Sequence, residues 1–252
     1  MPSGHGTLIF LHLPKTGGTS LRATLLASIS PRPSIKLMNH DHTPLLAMKP
    51  QERALLGLVE GHMLYGVHEH IPGPYSYITL LREPVARLRS WHRYVCQTPR
   101  HRFHGVVAQG GLSLGDCVRR RMTPELDNDM TRTLASVGRQ GTPFGTVTLQ
   151  MFEVAYERLS SIQFVGTTER LGEFHAMLCD RMGWQAHPVK HLNRTTTDSA
   201  GFAADIPASP PGDAEGSDAA PMIREVNRFD HALWEQAAKI LEHQLSRPFP
   251  QK

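Results

Sequence analysis

Residues 8–20 read LIFLHLPKTGGTS. A run of branched and aromatic apolar residues, from Thr7 to Leu13, stops at Pro14. Such a run suits a strand buried on both faces of a parallel sheet. Lys15, Gly17, Gly18 and the hydroxyl residues Thr16, Thr19 and Ser20 follow within six positions. Thr19 or Ser20 can begin a helix, and Leu21, Leu25 and Leu26 give that helix, predicted to reach Ile29, an apolar face. A strand, a glycine turn and a helix make the start of a βα unit. Glycines let successive backbone N–H groups converge on an anion, and the helix N-terminus adds its dipole. Lys15 adds a formal charge. In the common nucleotide-binding loop, however, the lysine follows the last glycine, whereas here it precedes both.

A second stretch, ITLLREPVARLRSWHRY at 78–94, repeats the pattern. YSYITLL, 75–81, is the clearest strand in the chain, and Pro84 suits the first turn of a helix predicted to run to about Val95. Arg82 therefore stands at the carboxyl end of a strand, the edge of a parallel sheet where ligands bind. Ser90 lies eight residues on, a little over two helical turns. A planar guanidinium fork and a hydroxyl donor together suit a phosphate. Read alone, the same residues also fit a surface Arg/Glu pair and an ordinary helix serine.

Composition sets the frame. With 252 residues, 40% hydrophobic and 20% charged, one mixed α/β domain with an ample core is expected. The net charge of +4 is small and scattered, which argues against nucleic acid and suits a small anionic ligand. The three cysteines, Cys96, Cys117 and Cys179, form no CxxC pair and read as reduced thiols. MPSGHG offers no basic n-region, and LIFLHL is far too short for a membrane span, so a soluble cytoplasmic protein is expected. The histidine clusters 40–42 and 68–70 lack metal-site spacing, and no metal is expected.

Further along, 31–56 reads as loop and short helix punctuated by prolines, and Leu58 to Leu64 as a second strand running through Gly61-His62. Helices are predicted over about 113–136 and 150–160, a short strand over 162–165, and a helix over 169–182. Residues 201–221 hold four prolines, three glycines and four acids but no Lys or Arg, which suggests a flexible linker or a lid. A closing amphipathic helix is expected at about 222–245. Strand–helix alternation argues for a parallel sheet with helices on both faces.

Together the two anion-binding stretches closely resemble the cofactor signatures of sulfotransferases that use 3′-phosphoadenosine 5′-phosphosulfate (PAPS). HLPKTGGTS is similar to the 5′-phosphosulfate loop, and LLREP with the helix serine to the 3′-phosphate signature. The chain resembles in particular the branch that includes the uronyl 2-O-sulfotransferases and their bacterial relatives. Gly61-His62 looks like that branch's Gly-His carrying the catalytic base, FVGTTE at 164–169 like its VG-x-TE segment, and HLNRTT at 191–196 like the late loop over the nucleotide. The resemblance spans about 7–197. It implies a P-loop-NTPase-like parallel sheet flanked by helices, and a single sulfotransferase domain over 1–252.

The resemblance also implies roles. Lys15 would meet the bridging or leaving oxygen, and Thr16, Gly17, Gly18, Thr19 and Ser20 would cradle the phosphosulfate. Arg82 and Ser90 would hold the 3′-phosphate, and Arg194 would reach a phosphate or stack on adenine. His62 would take the acceptor's proton, with His68, His70 and Glu60 in reserve; its other reading is a structural histidine. Asn128 and Arg132, one turn apart, would either bind acceptor or nucleotide or form a structural pair. The acceptor would be a hydroxyl on a carbohydrate or glycolipid, with a peptide tyrosine or a hydroxylated secondary metabolite as the alternative. PAP would be the product, and no metal would be required. A long polyanionic chain fits less well, since Arg119-Arg120-Arg121 is the one basic run. The rival is a P-loop-type nucleotide kinase, against which stands the absence of GxxxxGK[ST]. Oligomeric state is unreadable.

Overall fold

A computed structural model describes residues 6–185 and 219–246. Five strands, β1 (Thr7–Leu11), β2 (Ser34–Leu37), β3 (Leu58–Gly61), β4 (Tyr75–Leu81) and β5 (Phe164–Thr167), form one sheet in the order β2-β3-β1-β4-β5. Every pairing is parallel. Ten α-helices accompany them among the described residues: α1 (Gly18–Ile29), α2 (Thr43–Leu46), α3 (Pro50–Ala54), α4 (Pro84–Gln97), α5 (Leu114–Arg119), α6 (Asp129–Leu134), α7 (Leu149–Ser161), α8 (Leu171–Met182), α9 (Ala219–Val226) and α10 (Arg228–Ser246). The protein is thus α/β, a parallel sheet flanked by helices. No described helix is long and apolar enough to cross a membrane.

Alternation along the strands assigns the two faces. Leu8 and Phe10 of β1 pack with Leu21 and Leu25 of α1 and with Phe174 and Leu178 of α8. Ile9 and Leu11 turn the other way, into a core closed by Leu134 of α6, Leu159 of α7 and Leu233 of α10. Since all five strands are parallel, their carboxyl ends share one edge. The residues leaving that edge are His12, Met38, His62, Arg82 and Thr168.

Several expectations need correction. β1 ends at Leu11, because His12 to Lys15 already form the loop. β2 falls within the stretch expected to be loop and short helix. SIKL is an edge strand with alternating exposure and no strong apolar signal, and it exists through pairing with β3. Its partner ends at Gly61, three residues short of the predicted Leu64. A Cβ at Gly61 would lie 2.0 Å from the Leu37 carbonyl oxygen, and its φ of 131° suits glycine. That close approach ends the strand and turns the chain into His62.

The predicted 113–136 helix is broken into α5, a 3-10 turn at Pro124–Leu126 and α6. Left-handed Arg121 and Asn128 (φ 49° and 47°) separate the pieces. Likewise the closing helix is two helices, α9 and α10, and 219–221 of the expected linker is already helical. Buried Asn227 lies at the junction. Its amide donates to the Leu126 and Ile223 carbonyls, and its side-chain oxygen accepts from the Asn128 amide. Residues 201–218 and Arg194 lie outside the described residues.

Candidate anion site at the sheet edge

The loop after β1 is curled by positive φ at Lys15 (67°) and Gly17 (79°). A lysine in the left-handed region is uncommon, and tertiary contacts hold it there. Arg82, arriving from β4, donates Nη1 to the Lys15 carbonyl at 3.2 Å. Thr168, arriving from β5, donates its hydroxyl to the Thr16 carbonyl at 2.7 Å. Three strands therefore brace one loop. Gly18 begins α1 beneath it, where a Cβ would sit 2.3 Å from the His12 ring.

The donors around this loop are unspent. The amides of Thr16, Gly17, Gly18 and Thr19 find no acceptor among the described residues, as expected of the first turn of a helix. The hydroxyls of Thr19, exposed, and Ser90, half-buried on α4, make no hydrogen bond to the described residues. Thr16 is the exception and a correction: fully buried, it donates its hydroxyl to the Leu13 carbonyl at 2.8 Å and closes the loop from inside. The Ser20 amide donates to the Gly17 carbonyl at 3.3 Å.

The charges in the loop itself are cationic, and the carboxylates of Glu169 and Glu83 act on Arg82 without forming an ion pair with it. Neither Lys15 nor Arg82 forms an ion pair among the described residues, although both are half-buried. The Lys15 ammonium rests over the Tyr94 ring, 4.0 Å from its centroid. Burial, and then the Arg82 charge, push the Lys15 amine down to about 8. Burial likewise lowers Arg82. From Pro84 to Gly115 the chain carries five arginines and no acid, so this segment adds only positive charge. Glu169, whose charge works against the effect of burial on Arg82, accepts from the Glu83 amide at 3.0 Å and the Trp234 indole at 3.1 Å.

His62 stands at the same edge, next to β1. Its Nδ1 contacts the His12 carbonyl at 2.8 Å, and its ring lies 4.7 Å from the His12 ring. A carbonyl can only accept, so Nδ1 carries the hydrogen and neutral His62 keeps its lone pair on Nε2. Burial lowers the His62 pKa, the His12 carbonyl working against it, so the neutral base is favoured near pH 7. Beneath it, His12 stacks on Phe10 at 5.1 Å, and burial pushes its imidazole down to about 3.

This burial has a consequence for stability. Unfolded His12 takes up a proton near its ordinary pKa of about 6.5, while the folded form resists, so the unfolded state binds more protons as pH falls. Stability present above about pH 6.5 should fade on acidification, by about 2 kcal/mol from this residue near pH 5. Urea titrations at several pH values should show that slope, and it should flatten in His12→Phe.

Other predicted residues lie apart. His68 contacts the Tyr77 hydroxyl at 3.0 Å and lies 4.9 Å from the ring of Tyr75, the first residue of β4, away from the carboxyl edge. His70 sits in the same 3-10 turn, Val67–His70, its ring 5.9 Å from that of His42. Glu60 is buried and ion-paired with Arg22 at 2.7 Å. Asn128 and Arg132 take the structural alternative. Asn128 donates to Asp127 and the Val226 carbonyl and accepts from the Phe229 and Asp230 amides. Arg132, fully buried, pairs with Asp127 at 2.6 Å and donates to the Asp127, Thr142 and Pro143 carbonyls. No group of three or more His, Cys, Asp or Glu able to hold a metal ion occurs among the described residues.

Thr168 and His12 fall within the FVGTTE and HLPKTGGTS motifs without an expected role of their own, and Tyr94 is not among the expected site residues. Tyr94 follows Ser90 by four residues, the spacing that shares a helix face, and that was the available signal. No family model matches the chain, and no curated protein matches it.

Proposed function

We propose that this chain is a PAPS-dependent sulfotransferase with the P-loop-like fold of that family, acting on an acceptor hydroxyl, on a carbohydrate or glycolipid by the resemblance of its motifs. One observation carries the reading: Lys15 and Arg82 meet at the carboxyl edge with unspent amide and hydroxyl donors, and neither forms an ion pair with a carboxylate among the described residues. Such a site is complementary to a multiply charged anion. The residues present fit PAPS. The loop amides, Thr19 and Lys15 would hold the 5′-phosphosulfate, and Arg82 with Ser90 the 3′-phosphate. Bound PAPS would supply an activated sulfuryl group for in-line transfer.

The chain's own part is positioning and charge stabilisation. Lys15 neutralises charge building on the leaving oxygen. Arg82 both binds phosphate and, through the Lys15 carbonyl, sets the loop. His62 accepts the acceptor's proton at Nε2, the atom that its bond to the His12 carbonyl leaves free. None of the residues that leave the sheet edge directly, His12, Met38, His62, Arg82 and Thr168, is the aspartate expected after a strand in a Mg²⁺-dependent phosphotransferase, which weighs against the kinase alternative.

Thermal unfolding tests the assignment. PAP at about a hundredfold excess over its Kd should stabilise the protein by about 2.7 kcal/mol, a shift of roughly 5–10 °C, while ATP with Mg²⁺ should not. Adenosine 5′-phosphate, lacking the 3′-phosphate, should bind more weakly, and Arg82→Ala should erase that preference. Stabilisation by ATP–Mg²⁺ but not by PAP would overturn the proposal.

A further inference from the structure

Lys15 is the one charged member of the loop, and its environment is peculiar in what faces it. Arg82 at the head of α4 and His12 at the end of β1 are near, and His101, past the end of α4, also feels its charge. Each of these is cationic or neutral, and no carboxylate lies within ion-pair range among the described residues. The Tyr94 ring faces the ammonium with the negative surface of its π face. Tyr94 is 45% exposed. Its ring is itself steadied edge-on by His101, with centroids 5.6 Å apart and planes at 79°.

We propose that Tyr94 is a positioning residue for Lys15: its π face holds the ammonium beside the loop while no anion is bound, and releases it to an anion that enters. The proposal goes beyond sulfuryl transfer, since it holds for any anion that the loop receives. A half-buried ammonium next to a guanidinium would otherwise tend to shed its proton, and a neutral amine would neither attract the ligand nor stabilise a leaving oxygen. The ring keeps the cation charged and nearby at small cost, because a cation–π contact is weaker than an ion pair with a multiply charged ligand.

The test is competitive acetylation of the Lys15 amine with acetic anhydride across a pH series, read by peptide mass spectrometry. It uses no nucleotide or acceptor, so its outcome is independent of the PAPS assignment. Tyr94→Leu keeps apolar cover but removes the π face, and the midpoint of its labelling profile should fall by about half a pH unit or more. Tyr94→Phe retains the ring and should overlay the wild type. Inorganic phosphate should slow labelling in all three. An unmoved midpoint in Tyr94→Leu, or an equal fall in Tyr94→Phe, would overturn the proposal.

Discussion

Replacing Lys15 by methionine should cut sulfuryl-transfer turnover roughly 10²- to 10³-fold, the usual loss when one preorganised group facing a developing charge is removed. The fold should survive. Lys15 makes no ion pair among the described residues, and its carbonyl, which receives Arg82, is unchanged by the substitution. Methionine retains the length and apolar stem, so lost turnover can be assigned to the ammonium. The reading is made by single-turnover transfer from labelled PAPS, with PAP affinity measured in parallel. A large fall in rate with a modest loss of PAP binding is expected, because loop amides, Arg82 and Ser90 remain. Arginine at the same position keeps charge but not compactness, and should restore binding better than rate. Full turnover in Lys15→Met would remove the lysine from the chemistry.

The second large effect is on stability. Asp129 opens α6, 1% exposed, and receives Arg139 through Nε at 2.6 Å and Nη2 at 2.7 Å. Arg87, equally buried, stands 3.6 Å away. Burial pushes the Asp129 carboxyl up, but the Arg139 charge and hydrogen bonds, with Arg87, outweigh it and hold the group below the usual range. Asp129→Ala would remove the carboxylate shared by buried Arg87 and partly buried Arg139, leaving Arg87 only Asp230 at 4.0 Å and Arg139 only Glu125 at 2.7 Å. The expected cost is about 3–5 kcal/mol, or roughly 10 °C in Tm. Chemical denaturation measures it. Asp129→Leu combined with Arg139→Met should recover much of the loss, since a buried pair exchanged for apolar side chains is often near neutral. An unchanged midpoint in Asp129→Ala would show that Asp230 and Glu125, which also face Arg87 and Arg139, compensate fully.

The two effects belong to different parts of the molecule, and the sequence speaks to them unequally. The loop is written locally: a proline, a lysine, two glycines and a helix start occupy consecutive positions, and short-range sterics suffice to shape them. Arg82 and Ser90 are legible in the same way, as a strand end and a helix face. The buried network is not. Asn128 and Arg132 have the spacing of a binding pair, but spacing does not tell that Asn128 meets α9 and α10, about a hundred residues later, or that Arg132 is closed in by Asp127, Thr142 and Pro143. The missed strand β2 has the same origin. SIKL carries little period of its own and is ordered by a neighbour that pairs with it.

Legible in the chain are an α/β alternation and two cations, one in the first loop and one at the end of the strand 75–81, each at a sheet edge. How those cations are used depends on the folded arrangement. It sets Arg82 on the carbonyl of Lys15 across 67 residues, rests the ammonium on Tyr94, and protonates His62 at Nδ1 through the His12 carbonyl. The reason is physical. Backbone preference and apolar period act within a few residues, whereas a carbonyl's partner, a ring's tautomer and the absence of a counter-charge depend on which distant segments the sheet brings together.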